Sequence, residues 1–233
     1  MVDRVVIVTG GFGVLGQAVA LEWLAGGSTV CVLGRRSGSH PAVDALGQAG
    51  ACALTGVDVA DAAAASDAVA DIESRFGRID VLVNAAGAFK WTRVEDSAEA
   101  DWADLWRANL RTALVMSRAV LPALRRTATG RIVNVGAAGA LEAASGMGLY
   151  AASKAAVLKL TEAMARELHA DGITVNAVLP TIIDTPANRR DMPDADHARW
   201  VTPAALAKII AFLASPDAQA ITGAGIPVRG GVF

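Results

Sequence analysis

The sequence predicts an α/β fold: a doubly wound, mostly parallel seven-stranded sheet with helices on both faces. Three observations predict it. Apolar runs of strand length alternate with longer helical stretches, a glycine-rich turn follows the first run, and 233 residues suit a single domain over 1–233. Strands covered on both faces read as near-continuous apolar runs, and these do.

Residues 4–9 form the first expected strand, after which Leu15, Val19 and Trp23 recur at a spacing of four, as one buried helix face requires, until Gly26-Gly27 ends the helix. Strands two to four are expected over 29–33, 51–57 and 80–84, with a helix over 62–76 between the last two. One long helical stretch covers 102–126, strand five 131–135, a further helix 147–170 and strand six 173–179. Periodicity breaks over 180–203, which holds Pro186 and Pro193, so 181–203 is expected as a loop with a short helix, a lid over a substrate cleft. A helix over 203–214 and a strand over 224–228 complete the fold, and Pro227 suits an edge position.

A net charge of -2 gives no basic field for nucleic acid. Cys31 and Cys52 lie in apolar strand-like runs and read as small hydrophobes, without disulfide or metal-ligand spacing. His40, His169 and His197 are scattered, so each reads as a surface or locally bonded histidine and no metal site is expected. No apolar run approaches the ~20 residues that span a bilayer. The N-terminus enters a strand without a charged leader, so a cytoplasmic protein with no membrane partner is expected.

The chemistry concentrates at two places. A strand, a glycine turn and a helix form a pyrophosphate site, because small residues let the backbone come close and the helix N-terminus offers unpaired N–H groups. Gly10, Gly13 and Gly16, with Val14 and Leu15 between them, are the expected contacts. About 20 residues further on, an NAD site places an acid on the ribose 2′-hydroxyl. Here Gly34-Arg35-Arg36 follows strand two, and two guanidinium groups suit a 2′-phosphate, hence NADP(H) over NAD(H); the alternative is a pair of solvated arginines. The second place is Tyr150 and Lys154, which share a helix face at i and i+4. An ammonium beside a phenol favours the ionised form and makes it a usable proton donor near neutrality. Such pairs also arise by chance on helices, so the rest of the chain must carry the reading.

Four stretches together resemble the short-chain dehydrogenase/reductase family: the glycine turn, Asn84-Ala85-Ala86-Gly87, Asn109, and Tyr150-Ala-Ala-Ser-Lys154. The resemblance spans nearly the whole chain and implies a Rossmann fold and hydride transfer from a nicotinamide to a carbonyl or imine carbon. It implies that Asp58, with Val59 beside it, meets the adenine edge, that Asn84 to Gly87 line the cofactor cleft, and that Pro180, Ile182 and Thr185 lie at the nicotinamide. It further implies that Tyr150 gives the proton, Lys154 holds the nicotinamide ribose and tunes Tyr150, and Asn109 anchors a water relaying protons to Lys154. Asn109 also reads as a helix-kink residue bonding the backbone. A homodimer or homotetramer through the long helices is implied as well.

Two positions depart from the family pattern. Val14 replaces the middle glycine of the commoner turn, and Ala137 stands where a serine normally bonds the substrate oxygen. Removing such a donor typically costs about 3 kcal/mol. Ser145 is one candidate substitute; a substrate that needs no serine is another; a non-catalytic NADP(H)-binding protein is the third. Gly136-Ala137 and the run from Leu179 to Asp196 resemble the quinonoid dihydropteridine reductase branch, which also lacks the serine, although its members usually carry an acid after strand two. Phe89, Lys90 and Trp91 stand at the sheet's C-terminal edge, where aromatic walls suit a planar ring or serve as packing anchors. Met192 and Trp200 in the lid read the same two ways, and Arg125-Arg126 and Arg189-Arg190 suit an anionic carrier or plain solvent. The expected activity is NADP(H)-dependent reduction of a small carbonyl or quinonoid substrate. A carrier-linked β-ketoacyl reductase is kept as an alternative.

Overall fold

A computed structural model describes residues 4–38 and 40–231, so the outermost ends of the expected 1–233 span lie outside the described residues. Seven parallel strands, β1 (Val5–Thr9), β2 (Thr29–Gly34), β3 (Cys52–Thr55), β4 (Val81–Asn84), β5 (Arg131–Val135), β6 (Thr174–Pro180) and β7 (Gly225–Val228), lie in the order β3-β2-β1-β4-β5-β6-β7. The order runs one way from β1 to β3 and the other from β4 to β7. The switch point therefore falls between β1 and β4, whose carboxyl ends open the crevice where such sheets bind ligands.

Alternation along β1 builds a core on each face. Val6 and Val8 pack with Val19 and Trp23 of α1 (Val14–Ala25) and with Leu206 and Ile210 of the helix Pro203–Leu213. Val5 and Ile7 face the opposite layer, with Ile72 of the helix Ala62–Phe76 and Met116, Val120 and Leu124 of Thr112–Thr127. Trp23 is fully buried, and its truncation to alanine is expected to cost about 4 kcal/mol.

Four details differ from expectation. A short helix, α2 (Pro41–Gln48), was not expected; His40 caps it, Nδ1 accepting from the Ala42 N–H at 3.1 Å, and Pro41 opens its first turn. Strand β3 is shorter than 51–57 because Gly56 turns with φ +71°, and the chain then bonds the segment after β2 through Gly56 N–H to Arg36 O and Val57 N–H to Gly34 O. The helix Ala62–Phe76, numbered α3, matches its expected span. The stretch expected as one helix is three pieces: α4 (Glu99–Leu105), a π-helical turn (Trp106–Arg111) and α5 (Thr112–Thr127). The helix bearing Tyr150 and Lys154 is α6 (Gly148–Glu167); it stops before 170, and a tight 3₁₀ turn, His169–Asp171, leads into β6.

Pro227 does sit on an edge strand, opposite Leu179. Segment 181–203 contains α7 (Pro186–Asp191) and is pinned at its base by the Ile183–Val201 bridge; α8 (Pro203–Leu213) follows. Cys31 and Cys52 are free thiols opposite each other on β2 and β3. No described helix is long and apolar enough to cross a membrane, and no group of three potential metal ligands occurs among the described residues.

Candidate active site

The turn from β1 to α1 is shaped by close approach. Gly10 has φ +64°, and a Cβ there would lie 2.8 Å from the Ala86 Cα; one on Gly16 would lie 2.3 Å from the Gly10 carbonyl oxygen. These two glycines are required by the protein's own packing. Gly13 is less confined, since its Cβ would meet only the Gly10 carbonyl oxygen, at 3.3 Å. It is the N-cap of α1, which has neither a side-chain cap nor an acidic residue in its first turn. Open N–H groups at the helix start, at Val14, Leu15 and Gly16, are the donor set a pyrophosphate uses. Thr9 braces the turn, its Oγ1 accepting from the Ala86 N–H at 3.1 Å.

A cleft of about 550 Å³ opens beside the switch point, lined by Gly10, Arg35, Asp58, Val59, Ala86 and Gly87 and running on to Ala88, Phe89 and Lys90. Asp58 accepts from the Ala60 N–H at 3.0 Å and from Arg107 Nη2 at 2.6 Å. Partial burial raises its carboxyl, but these hydrogen bonds and the Arg107 and Arg35 charges outweigh that and hold it below the usual value. Arg36 lies against the His40 ring instead of lining the cleft. The fit to a dinucleotide thus rests on two sets of donors, an uncapped helix start and a cation at the end of β2, and on one acceptor, the fixed Asp58 carboxylate.

Beyond Gly87 the second group converges. Asn109, on the π turn, accepts from the Ala88 N–H at 2.9 Å and donates to the Ala88 carbonyl at 3.0 Å and to Ser153 Oγ at 2.9 Å. Ser153 in turn donates to the Tyr150 carbonyl at 2.7 Å. A Cβ on Gly87 would sit 2.8 Å from Asn109 Oδ1 and 3.3 Å from Lys154 Nζ, so the missing side chain is what lets the loop after β4 meet both.

Lys154 is buried, donates to the Val135 carbonyl at 2.8 Å and stands 6.0 Å from the Tyr150 ring centre. The expectation that Lys154 brings the phenol down needs correction. Burial alone pushes Tyr150 up to about 12 and Lys154 down to about 8. The two share a helix face, but the ammonium commits to a main-chain carbonyl.

Phe89 meets Tyr150 edge to face at 4.9 Å between centroids. Trp91 covers Gly146 and donates Nε1 to the Ser145 carbonyl at 3.1 Å. Phe89 and Trp91 are each 59% exposed, so they form a wall open to solvent as well as an anchor. Ala137 is buried in extended backbone at the end of β5, and Ser145 is exposed.

Several residues named from the sequence make contacts within the fold. Asn84 is buried in a polar ladder under the cleft floor, its Nδ2 donating to Asn134 Oδ1 at 2.9 Å and to Ser117 Oγ at 3.2 Å. Asn134 continues the ladder to Thr161 at 2.9 Å. Ala85 is half-buried beside it. Pro180 ends β6, and Ile182 and Thr185 follow it; the Ile182 carbonyl accepts from the Val201 N–H, and the Thr185 hydroxyl caps α7. Ser153 and Arg107 make contacts at the site that their sequence positions do not assign. Ser153 lies inside the Tyr150–Lys154 run; nothing in the sequence pairs Arg107 with Asp58, 49 residues away.

A doubly wound sheet with an uncapped helix start at its switch point and a tyrosine–lysine–asparagine group at the cleft's far end defines a dinucleotide-dependent oxidoreductase class. Residues 4–196 match the family model for short chain dehydrogenases. The chain is 35% identical over 246 aligned residues to 3-oxoacyl-[acyl-carrier-protein] reductase FabG of Vibrio cholerae, covering 99% of this chain and 97% of that one. It is 33% identical to meso-2,3-butanediol dehydrogenase of Serratia marcescens, covering 98% and 94%. The crystal structure of levodione reductase superimposes with a TM-score of 0.89 at 29% identity, covering 99% and 98%. The chain belongs to the short-chain dehydrogenase/reductase family, whose members are NAD(P)-using oxidoreductases.

Proposed function

We propose that this enzyme is NADP(H)-dependent and transfers a hydride to a small carbonyl or quinonoid/imine substrate, with Tyr150 as proton donor. The convergence of Asn109 and Lys154 on Gly87, one helical turn from Tyr150, carries the reading. The cleft residues from Gly10 and Arg35 to Gly87 would hold a reduced nicotinamide cofactor, which would supply the hydride. Tyr150, kept protonated by burial, gives its proton to the atom that gains negative charge. Lys154 holds positive charge behind the phenol and the nicotinamide ribose, and a water anchored at Asn109 returns a proton to it. Arg35 supports NADP(H), since it lines the cleft at the end of β2 where a 2′-phosphate would lie.

The lack of a hydroxyl at Ala137 favours a substrate that is already strongly polarised. A quinonoid ring fits that need and the Phe89/Trp91 wall, which keeps quinonoid dihydropteridine reductase proper as one alternative. A β-ketoacyl substrate on a carrier is the second, favoured by the likeness to a 3-oxoacyl-[acyl-carrier-protein] reductase. We also infer a homodimer or homotetramer, which would cover the exposed Trp102 and Trp106 along the α4 stretch.

Titration with NADPH and NADH, followed by a panel of quinonoid dihydropterin, quinones and β-keto thioesters, tests this. Tighter NADPH binding and oxidation by a panel member are expected, with Tyr150→Phe keeping cofactor affinity and losing turnover. Unchanged turnover in Tyr150→Phe would sink the mechanism; tight binding without turnover across the panel would favour a non-catalytic dinucleotide-binding protein.

A further inference from the structure

The π-helical turn Trp106–Arg111 touches both ends of the cleft. Arg107 and Arg111, four residues apart, reach the loop after β3: Arg107 Nη2 donates to Asp58 Oδ2 at 2.6 Å and Arg111 Nε to the Ala60 carbonyl at 2.8 Å. Asp58 itself accepts the Ala60 N–H, so the two arginines grip a closed three-residue loop. Between them, Asn109 is buried and spends its carboxamide on Ala88 and Ser153. Thr112 steadies the turn from its C-terminal side, its hydroxyl donating to the Ala108 carbonyl at 2.8 Å and approaching the Asn109 carbonyl at 3.3 Å. A π turn inside an α-helix is less stable than continued α-helix and persists where its altered side-chain directions serve a site. Here the alteration lets neighbouring residues of one turn face the 58–60 loop and the Gly87–Ala88 loop.

We propose that Arg107 and Arg111 are positioning residues that couple occupancy of the adenosine end of the cleft to the placement of the Asn109 carboxamide. The inference rests on the dinucleotide reading of the cleft. Adenine seated against Asp58 fixes the loop that Arg107 and Arg111 hold. The π turn is thereby held, and with it Asn109 against Ala88 and Ser153. The coupling makes a half-bound cofactor, or an adenosine-free nicotinamide, a poor organiser of the proton-transfer end. Because such coupling is reciprocal for binding, the adenosine half should also raise affinity for the nicotinamide half.

The test uses adenosine 2′,5′-bisphosphate, a probe of the adenosine end alone, and amide hydrogen exchange of the peptide containing Ala88, whose N–H is held by Asn109. In the wild type, saturating probe is expected to slow that exchange and to tighten the binding of reduced nicotinamide mononucleotide, each about tenfold. In Arg107→Ala both responses are expected to vanish, with part returning in Arg107→Lys; Arg111→Ala gives a second, independent variant. A simple packing role would change exchange without the probe and leave the response to it intact, which overturns the proposal. So does a probe that binds the wild type without slowing exchange, or one that fails to bind a protein that binds NADPH. Wild-type protein that binds neither NADPH nor NADH overturns the dinucleotide reading itself, and the coupling with it.

Discussion

Lys154 stands 6.0 Å from the centre of the Tyr150 ring while its ammonium is hydrogen-bonded at 2.8 Å to the Val135 carbonyl. The protein therefore buries Lys154, partly buries Tyr150 and lets desolvation govern each. The phenol moves from 10.0 up to about 12, and the ammonium from 10.5 down to about 8. The proposed mechanism requires both to be protonated in the direction of reduction. The phenol stays so across the working range, so Lys154 sets the alkaline limit. kcat/KM, which reports the free enzyme, should fall as pH rises through about 8. A profile level to pH 10 would remove Lys154 from the mechanism.

The same two values act on stability with opposite signs. A lysine lowered to about 8 binds its proton less tightly than in the unfolded chain, so its destabilising effect is full below pH 8 and fades between 8 and 10.5. A tyrosine raised to about 12 contributes stability that is full below pH 10.0 and lost between there and 12. Replacing Lys154 with methionine should therefore raise the melting temperature most below pH 8, with the gain shrinking above it. A gain that grows with pH would contradict the buried, lowered lysine.

The absent Cβ of Gly87 leaves room for two side chains: a Cβ there would lie 2.8 Å from Asn109 Oδ1 and 3.3 Å from Lys154 Nζ. Gly87→Ala should displace both. A displacement near 1 Å at such a centre costs about a hundredfold in rate, so shifts of a few tenths of an ångström should cost up to about tenfold. The expected outcome is that loss in kcat, with adenosine-end affinity within about twofold of wild type. Full activity in Gly87→Ala would show that Asn109 and Lys154 need no such approach.

Much of this architecture is readable in the sequence for a physical reason. β1 and α1 declare themselves because Val6, Val8, Val19 and Trp23 are all buried and spaced by the periods of strand and helix. α2 escapes because eight residues carry only two buried positions, Ala42 and Leu46, too few to show a period. The π turn escapes because one widened turn barely alters the pattern around Leu105 and Thr112. At the site, residue identity is readable and partnership is not. The i, i+4 spacing puts Lys154 beside Tyr150 but says nothing of Val135, and Arg36 looks equivalent to Arg35 until His40 is seen beside it.

Ala137 is buried with φ -159° and ψ 154°, an extended conformation that serine adopts without strain. Ala137→Ser should supply the missing oxygen donor and raise turnover of simple ketones by about a hundredfold. Before substrate binds, the new hydroxyl is a buried polar group with little to bond, at a cost of about 1 kcal/mol or a few degrees in Tm. Higher ketone turnover with a lower Tm is the expected pair of results. Unchanged ketone rates would mean that the absent serine does not restrict the substrate.

Arg35 lines the cleft while Arg36 turns to the His40 ring, so the two adjacent guanidinium groups should contribute unequally. A charge-assisted hydrogen bond to a phosphate is worth about 2 kcal/mol, or a factor of about thirty in affinity. Arg35→Ala should weaken NADPH by that factor and leave NADH nearly unchanged, since NADH lacks the 2′-phosphate. Arg36→Ala should cost NADPH less, its first effect being to loosen the capped start of α2. Isothermal titration of both variants with both cofactors decides the matter. Equal losses for NADPH and NADH in Arg35→Ala would place Arg35 at the shared diphosphate or in the fold, and would take away the basis for an NADP(H) preference.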